Sequence, residues 1–222
     1  GDGVVALIPA GPVTIAAGTF TGMTGPVSSD INALAVIGSA GPVNASAWLL
    51  DVPNIADGYS VNLSTKIDIV NLDLTHSNVD YDSAFADKND ASLTKLIASA
   101  KVADVNLVVG YGMTNDNEDG RGLGVDLTGD NDAKTNFRLD QIALDNYNDA
   151  DALLIGASMT FGQTTVGANY LMATVNDFNG GKDLDATELD LTVSYAMSKN
   201  FSITGLYADT EAEQGSDKIV DQ

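Results

Sequence analysis

The sequence of 222 residues suffices for one ordinary domain or a single large β domain, and 31 acidic residues against 10 basic ones leave a net charge of −21. That balance argues against a nucleic-acid partner, which needs clustered Lys and Arg, and indicates either a solvated acidic surface or a field that attracts cations. The lack of cysteine excludes disulfide scaffolds and thiol catalysis, and no run of about 18 apolar residues predicts a transmembrane helix.

Two runs near the start have the length of strands but are small and apolar on both faces. They are "INALAVIGSAG" (residues 31–41) and "VNASAWLLDVP" (residues 43–53), and the second contains Trp48. Alternation does not show which face of such a strand is buried. These strands are expected to pack either against a loop folded over one face or against a neighbouring subunit.

Strict alternation of apolar and polar residues begins with "YSVNLSTKID" (residues 59–68) and continues through "VNLDLTHS" (residues 70–77). "VNLVVGYG" (residues 105–112) and "ALLIGASMTF" (residues 152–161) repeat the pattern. Each run predicts a strand with one apolar and one polar face.

The final hairpin is "ELDLTVSYAMSKNFSITGLY" (residues 188–207). Its first half alternates, a polar triplet at residues 198–200 reverses the chain, and alternation restarts after it. Upstream, residues 139–153 are expected to hold a short helix. Long amphipathic helices are not needed anywhere, so the class is all-β.

Connections of two kinds alternate along the chain. Short turns rich in Gly, Pro, Asp and Asn are predicted at Gly11, Gly41, Asp68, Ala103, Gln163 and Lys199. Longer, mostly acidic connections are predicted at residues 21–30, 53–58, 80–92, 113–151 and 177–185, and in the tail from residue 210. The pattern predicts an up-and-down meander of about twelve strands, with the short turns clustered at one end.

Three features favour an antiparallel barrel in a bacterial outer membrane over a soluble sandwich. The strands approach the 9–11 residues of a tilted transmembrane strand, the loops are short at one end and long at the other, and aromatic residues lie near both strand ends. The apolar faces should then contact lipid, and the polar faces should line a water-filled lumen.

The barrel interpretation predicts which residues lie on each of the two faces. The lipid-facing residues are predicted to be Leu72, Leu74, Leu189, Leu191, Val193 and Tyr195. The pore-lining residues are predicted to be Asn62, Lys66, Asp68, Asn71, Asp73, Glu188 and Asp190. Because Lys66, Lys95 and Lys101 oppose the acids, the lumen should prefer cations only modestly.

The sequence offers little for catalysis or for a cofactor. His76 is the only histidine, and without a second His or any Cys a nucleophile–base pair is hard to build. Residues 115–126 approximate the spacing of a calcium loop at four positions, with Asn in first place and Asp in last: Asn115, Asn117, Asp119 and Asp126. Loosely bound calcium that bridges acidic loops to lipopolysaccharide is favoured over a specific site.

Residues 166–207 resemble the major outer membrane porin of epsilonproteobacteria, the Campylobacter-type family. The similarity rests on "VGANY" (residues 166–170), "GGKDL" (residues 180–184), Tyr195, "NFS" (residues 200–202) and Tyr207. Weaker similarity extends upstream through "INALAVIGSAGPVNASAWL" to the "DGVV" near the start.

This resemblance implies a trimeric porin of about eighteen strands that passes small hydrophilic solutes. About twelve strands are predicted here, and the tail lacks an aromatic-ended closing strand. Residues 1–222 are therefore expected to form a single barrel domain from which N-terminal strands, a constriction loop and the closing C-terminal strand are missing.

Two functions remain open from the sequence. The first is a general diffusion porin with a modest preference for cations. The second is an acidic soluble or surface-anchored β protein, such as an adhesin or a layer protein. Extraction separates them, because a porin requires detergent.

Overall fold

The chain folds into one antiparallel sheet. The computed structural model describes residues 2–21, 30–82, 89–116, 137–215 and 217–221, and within these residues thirteen strands pair strictly in chain order. The strands are β1 (Asp2–Ala10), β2 (Val13–Thr21), β3 (Ile31–Ala40), β4 (Val43–Val52), β5 (Ala56–Ile67), β6 (Val70–Tyr81), β7 (Asn89–Val102), β8 (Val105–Thr114), β9 (Ala150–Phe161), β10 (Thr164–Val175), β11 (Leu184–Ser198), β12 (Phe201–Gln214) and β13 (Asp217–Asp221). No helix in the described part of the chain is long and apolar enough to cross a membrane.

Cross-strand register carries the alternation of each strand into its neighbours. Leu191 of β11 pairs with Ala168 of β10 on one side and with Tyr207 of β12 on the other. Directly opposed residues point to the same side of a sheet, so all three lie on one face. The same rule assigns faces along β1–β12, with one irregularity between Ala196 and Ser198 of β11.

The six predicted short turns are confirmed. Each joins an odd-numbered strand to the next even-numbered one by two residues, at positions 11–12, 41–42, 68–69, 103–104, 162–163 and 199–200. Gly11 and Gly41 adopt positive φ of 65° and 59°, which glycine enters at no steric cost. Since the meander is strictly antiparallel, all six turns lie at the same end of the sheet.

Three expectations about the other end were wrong. Residues 53–55 form a tight three-residue turn instead of a long loop. The acidic tail continues β12 to Gln214 and adds β13, because its residues alternate and pair with the neighbouring strand. The helix expected within residues 139–153 is only a 3₁₀ turn at Leu144–Asn146, since the chain from Ala150 onward pairs with both β8 and β10.

The sheet has two unlike faces. Residues 137–149, which we call the inward segment, pack against one side of the sheet. We call that side the inner face and the opposite side the outer face. The buried apolar cluster of the described chain lies between the inward segment and the inner face, with β6–β11 supplying most of it.

Candidate functional site

The outer face is apolar over most of the strand length. On β11 its side chains include Leu191 and Val193, which are 42 % and 53 % exposed. The same face carries the other residues that the sequence assigned to lipid: Leu72, Leu74, Leu189 and Tyr195. A continuous apolar surface of this kind marks contact with something other than water.

Acidic side chains border this apolar surface at the end opposite the short turns. Asp51 pairs with Asp57, Asp57 with Asp80, and Asp80 with Asp90, so β4 to β7 each place one aspartate in a row on the outer face. Later strands carry acids along the same edge: Asp151, Asp185 and Glu213. We call these residues the acidic rim.

The inner face of β5 and β6 is polar and internally hydrogen-bonded. Asn62 donates from Nδ2 to Asp73 Oδ1 and to Thr75 Oγ1, both at 2.9 Å. Ser77 Oγ donates to Ser60 Oγ, also at 2.9 Å. These bonds satisfy polar groups that are buried or half-buried against the inner side of the sheet.

Near the short turns the inner face is open. Lys66, Asn71 and Lys101 are exposed there, and the Asn71 side chain donates to Ser99 Oγ at 3.5 Å. Asp68 was predicted both at a short turn and among the pore-lining residues, and it lies in the turn. Asp68 occupies the first place of the turn between β5 and β6 with a φ of 54°, so it lies at the mouth of the sheet instead of on its wall.

The inward segment folds on itself before it meets the sheet. Arg138 and Ala143 form an isolated antiparallel bridge, and the Leu144 amide donates to the Phe137 carbonyl at 2.9 Å. The tip of this small loop is at residues 139–142. Its far end is held by the backbone of Asp149, which bonds to residues 115 and 176 in the connections flanking β9 and β10.

Apolar side chains hold the base of the inward segment. Phe137 is buried over Gly110 and Gly112 of β8, and a Cβ added at Gly112 would lie 2.8 Å from Phe137 Cγ. The two glycines therefore leave the space that the ring occupies. The buried cluster continues through Ile142, Leu144, Leu93 and Leu171.

A carboxylate holds the tip of the inward segment. Glu188 of β11 accepts the backbone N–H of Gln141 on Oε1 and that of Ile142 on Oε2, each at 2.7 Å. The side chain of Glu188 is 0 % exposed and that of Asp190 is 6 % exposed. Both acids lie on the inner face as the alternation predicts, but the inward segment covers them.

Comparison with known proteins places this sheet in a family. A family model described as "Gram-negative porin" matches residues 12–215, which is most of the chain. The chain belongs to the Gram-negative porin family. Family membership favours the porin class over the soluble or surface-anchored β protein and indicates the bacterial outer membrane.

Solved porin structures have the same fold. OpdL of Pseudomonas aeruginosa superposes with a TM-score of 0.78 at 12 % identity, over 99 % of this chain and 68 % of OpdL. OccAB4 of Acinetobacter baumannii gives 0.70 at 12 % identity, over 95 % and 59 %. A BenF-like porin from Pseudomonas fluorescens Pf-5 gives 0.71 at 12 % identity, over 96 % and 61 %. No curated protein matches the chain.

The porin described here thus spans about three fifths to two thirds of the length of these solved chains. At such low identity the likeness shows the fold alone. That fold is the all-β, antiparallel barrel wall of outer-membrane porins.

The sequence predicted the two faces of the porin wall but not the inward segment. Within the described residues, a segment packs on the inner face between β8 and β9. Two features of the sequence are consistent with a segment packed at this place. Gly110 and Gly112 remove side chains from one face of β8, and apolar residues recur in "FRLDQIAL" (residues 137–144) inside a connection that is otherwise acidic.

The remaining candidates have local structural roles where the structure describes them. Asn115 accepts the Ser92 amide at 2.6 Å and donates to the Asp90 carbonyl at 2.7 Å, so its side chain ties the connection after β8 to the start of β7. Asn117, Asp119 and Asp126 lie outside the described residues. Among those described, no group of three or more His, Asp or Glu side chains is placed to hold a metal ion.

His76 lies on the outer face of the porin wall. Its Nε2 is 3.3 Å from the Tyr59 hydroxyl, and its Nδ1 is 2.8 Å from Thr94 Oγ1. Both ring nitrogens thus have a hydroxyl partner on an adjacent strand.

Proposed function

We propose that the complete protein is a general diffusion porin that passes small hydrophilic solutes and ions with a modest preference for cations. The observation that carries the proposal is the contrast between the faces. The outer face is apolar up to the acidic rim, and the inner face is polar and partly open. A wall of this kind separates lipid from water.

The height of the apolar surface supports contact of the outer face with lipid. On β11 the outward apolar series runs from the half-buried Leu189 to the exposed Met197, eight residue steps of about 3.3 Å each, or roughly 26 Å along the strand. With a strand tilt of about 40°, the band is roughly 20 Å tall, close to the apolar band of about 25 Å in outer-membrane barrels. The acidic rim begins where this band ends.

Permeating solutes would meet the polar inner residues near the short turns. We assign Asn62, Lys66, Asn71 and Asp73 to the lumen wall, and Asp68 to its mouth. Glu188 and Asp190 belong to the same wall beneath the inward segment. No organic cofactor is needed for this function.

The cation preference would arise at the acidic rim more than along the lumen wall. On the inner face of β5–β11, Lys66, Lys95 and Lys101 oppose the three acids Asp73, Glu188 and Asp190. Acids dominate the acidic rim and the whole chain, at 31 against 10 bases. Like-signed charge concentrates counter-ions within about a Debye length, roughly 8 Å at physiological salt, so a modest effect is expected.

The resemblance of residues 166–207 to the epsilonproteobacterial major porin supports general diffusion and a homotrimer. We propose that β1–β4 face the neighbouring subunits, because their side chains are small and apolar on both faces and the inward segment packs mainly on β6–β11. Lipopolysaccharide is the proposed partner along the acidic rim, with loosely bound calcium between the two anionic surfaces.

The test is electrical. The full-length protein is reconstituted in a planar bilayer under a potassium chloride gradient, and the reversal potential is measured at low and high salt. Cation preference gives a potential of the corresponding sign that shrinks as salt rises. A sign that shows chloride preference would favour control by the exposed Lys66 and Lys101, and the cation proposal would be rejected. Absence of any channel activity would reject the porin function itself.

A further inference from the structure

The outer face of the porin wall has a groove where its apolar surface reaches the acidic rim. The groove encloses about 520 Å³ and runs from β3 to β6, three strand spacings of about 4.8 Å, or roughly 14 Å. Leu34 pairs with Leu49, and Leu49 with Tyr59, so the three side chains lie in one row on its floor. They are 41 %, 54 % and 39 % exposed, which leaves an apolar floor open to the surroundings of the barrel.

Acidic side chains form the rim side of this groove. Asp51, Asp57 and Asp80 occupy directly opposed positions on β4, β5 and β6, two residues or about 6.6 Å beyond the floor. Like charges placed directly opposite each other destabilise a sheet. The lysines of β1–β12 all lie on the inner face, so these strands offer the row no cation of their own. The row therefore favours a cation that comes from outside these strands.

Hydrogen bonds orient two of the groove side chains. Asn32 Nδ2 donates to Asp51 Oδ2 at 3.0 Å. The Tyr59 hydroxyl is 3.3 Å from His76 Nε2, and the other ring nitrogen of His76 is 2.8 Å from Thr94 Oγ1. His76 thus holds the Tyr59 ring in the groove. Both an aromatic ring and a carboxylate attract an ammonium group.

A neutral donor lies beside the apolar floor. Asn78 pairs with Tyr59 and is half-buried in the groove lining. Its side-chain amide offers two N–H donors, which suit a phosphate oxygen. The acids lie one row closer to the rim, a spacing that the phosphate and ammonium of one lipid head can span. The groove therefore presents an apolar floor, an amide donor and carboxylates within one lipid-sized space.

We propose that this groove binds a membrane lipid with a phosphoethanolamine head. Its acyl chain lies on Leu34 and Leu49, and its phosphate accepts from Asn78. Its ammonium lies between Asp51 and Asp57, within reach of the Tyr59 ring. The inference rests on the proposed function, which places the outer face in lipid. It adds a direct lipid contact that requires no calcium.

The wild-type protein tests this proposal through the chemistry of the lipid head. Full-length porin in detergent with EDTA is titrated with phosphatidylethanolamine or with phosphatidylcholine of the same acyl chains, and native mass spectrometry gives the half-occupancy concentration. Both heads carry one ammonium, but the trimethylated ammonium of phosphatidylcholine has no N–H to donate. We expect phosphatidylethanolamine to bind roughly fivefold more tightly or better, because its ammonium makes charge-assisted hydrogen bonds.

Removal of charge from the groove should abolish this preference. Asp51→Asn combined with Asp57→Asn keeps the side-chain shapes, and should weaken phosphatidylethanolamine binding roughly fivefold or more while leaving phosphatidylcholine binding unchanged. The control combines Asp185→Asn with Glu213→Gln, a directly opposed and exposed acidic pair on β11 and β12, outside the groove. It should bind both lipids like the wild type. The different gel mobility of folded and unfolded barrels shows that each variant is folded.

A steric variant separates binding in the groove from attraction by surface charge. Leu49→Trp fills part of the floor and leaves every acid in place, so it should also weaken phosphatidylethanolamine binding. Leu191→Trp makes the same change on the outer face of β11, outside the groove, and should have no effect. Unchanged binding in Leu49→Trp would overturn the proposed groove site.

Two further results would overturn the inference. Equal binding of phosphatidylethanolamine and phosphatidylcholine by the wild type is expected if a neighbouring subunit fills the groove. Binding that requires calcium and accepts phosphatidylglycerol equally well would show that a metal ion bridges the acids to any anionic lipid. In each case a wild-type protein that conducts in planar bilayers leaves the proposed function standing. A wild-type protein that forms no channel rejects the proposed function instead.

Discussion

Strands β1–β4 and strands β6–β11 belong to one sheet, yet they use the inner face differently. Among the described residues of β1–β4, Ala35 is the single buried one, and Leu7 on the inner face is 67 % exposed. In β6–β11 the inner face supplies most of the buried cluster beneath the inward segment. Alternation therefore assigns residues to a face, but what lies across from that face decides whether they are buried.

The comparison also separates two sources of stability. β6–β11 gain packing from a segment of their own chain. The described residues leave both faces of β1–β4 largely exposed, so further burial there must come from lipid or from a partner surface. Four sets of substitutions follow, ordered from the largest expected effect to the smallest.

Removal of a buried inner side chain should have the largest effect. Leu171→Ala empties a fully buried position in the cluster and should lower the free energy of unfolding by about 2–5 kcal/mol. Leu7→Ala, at an exposed inner position of β1, should change it by less than about 0.5 kcal/mol. The quantity measured is the midpoint of unfolding in detergent. The folded and unfolded forms are distinguished by their different mobility on a gel. Equal losses in the two variants would contradict the comparison.

A charge placed on the outer face should distinguish lipid from a subunit interface. Leu191→Arg on β11 should destabilise the inserted barrel by roughly 2–4 kcal/mol, the cost of Arg near the bilayer midplane. Leu34→Arg on β3 should instead dissociate the proposed trimer. Native electrophoresis and cross-linking report assembly, and bilayer refolding reports insertion. If Leu191→Arg dissociated the assembly while Leu34→Arg left it intact, the assignment of the two outer surfaces would be reversed.

A smaller effect is expected from the polar network on the inner face. Asn62→Ala leaves Asp73 Oδ1 and Thr75 Oγ1 without the amide that donates to both, and should cost about 1–2 kcal/mol. Asn62→Asp is the matched variant, since it keeps the shape but removes both donors. Unfolding in urea gives the cost. An unchanged midpoint in both variants would show that water replaces the network.

The smallest effect concerns charge at the open end of the inner face. Lys66→Gln and Lys101→Gln remove exposed positive groups near the short turns and should move the reversal potential toward cations by a few millivolts at low salt. Lys199→Gln, in the turn between β11 and β12, is the control at the same end of the sheet. A shift that persisted at molar salt would show that the lysines act by shape and not by charge.

Most of the wall could be predicted from the sequence because a strand repeats every two residues. Leu189, Leu191 and Val193 share a face by counting alone, and so do the polar residues between them. Asp68 was assigned both to a turn and to the pore wall because counting does not show where a strand ends and its turn begins. The acidic tail was misread as a loop because Ala alternates with Glu along it. Neither residue favours strands, so this alternation is a weak signal of a strand.

The sequence by itself determined the all-β class, the two-residue turns at one end and the side of the wall on which each residue of the clear strands lies. Those are local properties, governed by backbone periodicity and turn chemistry. Only the tertiary structure decided that residues 137–149 fold back onto the inner face and that Glu188 and Asp190 lie beneath them. Contacts between Phe137 and Gly112, or between Gln141 and Glu188, join residues tens of positions apart, and no local pattern encodes which distant surface a segment will cover.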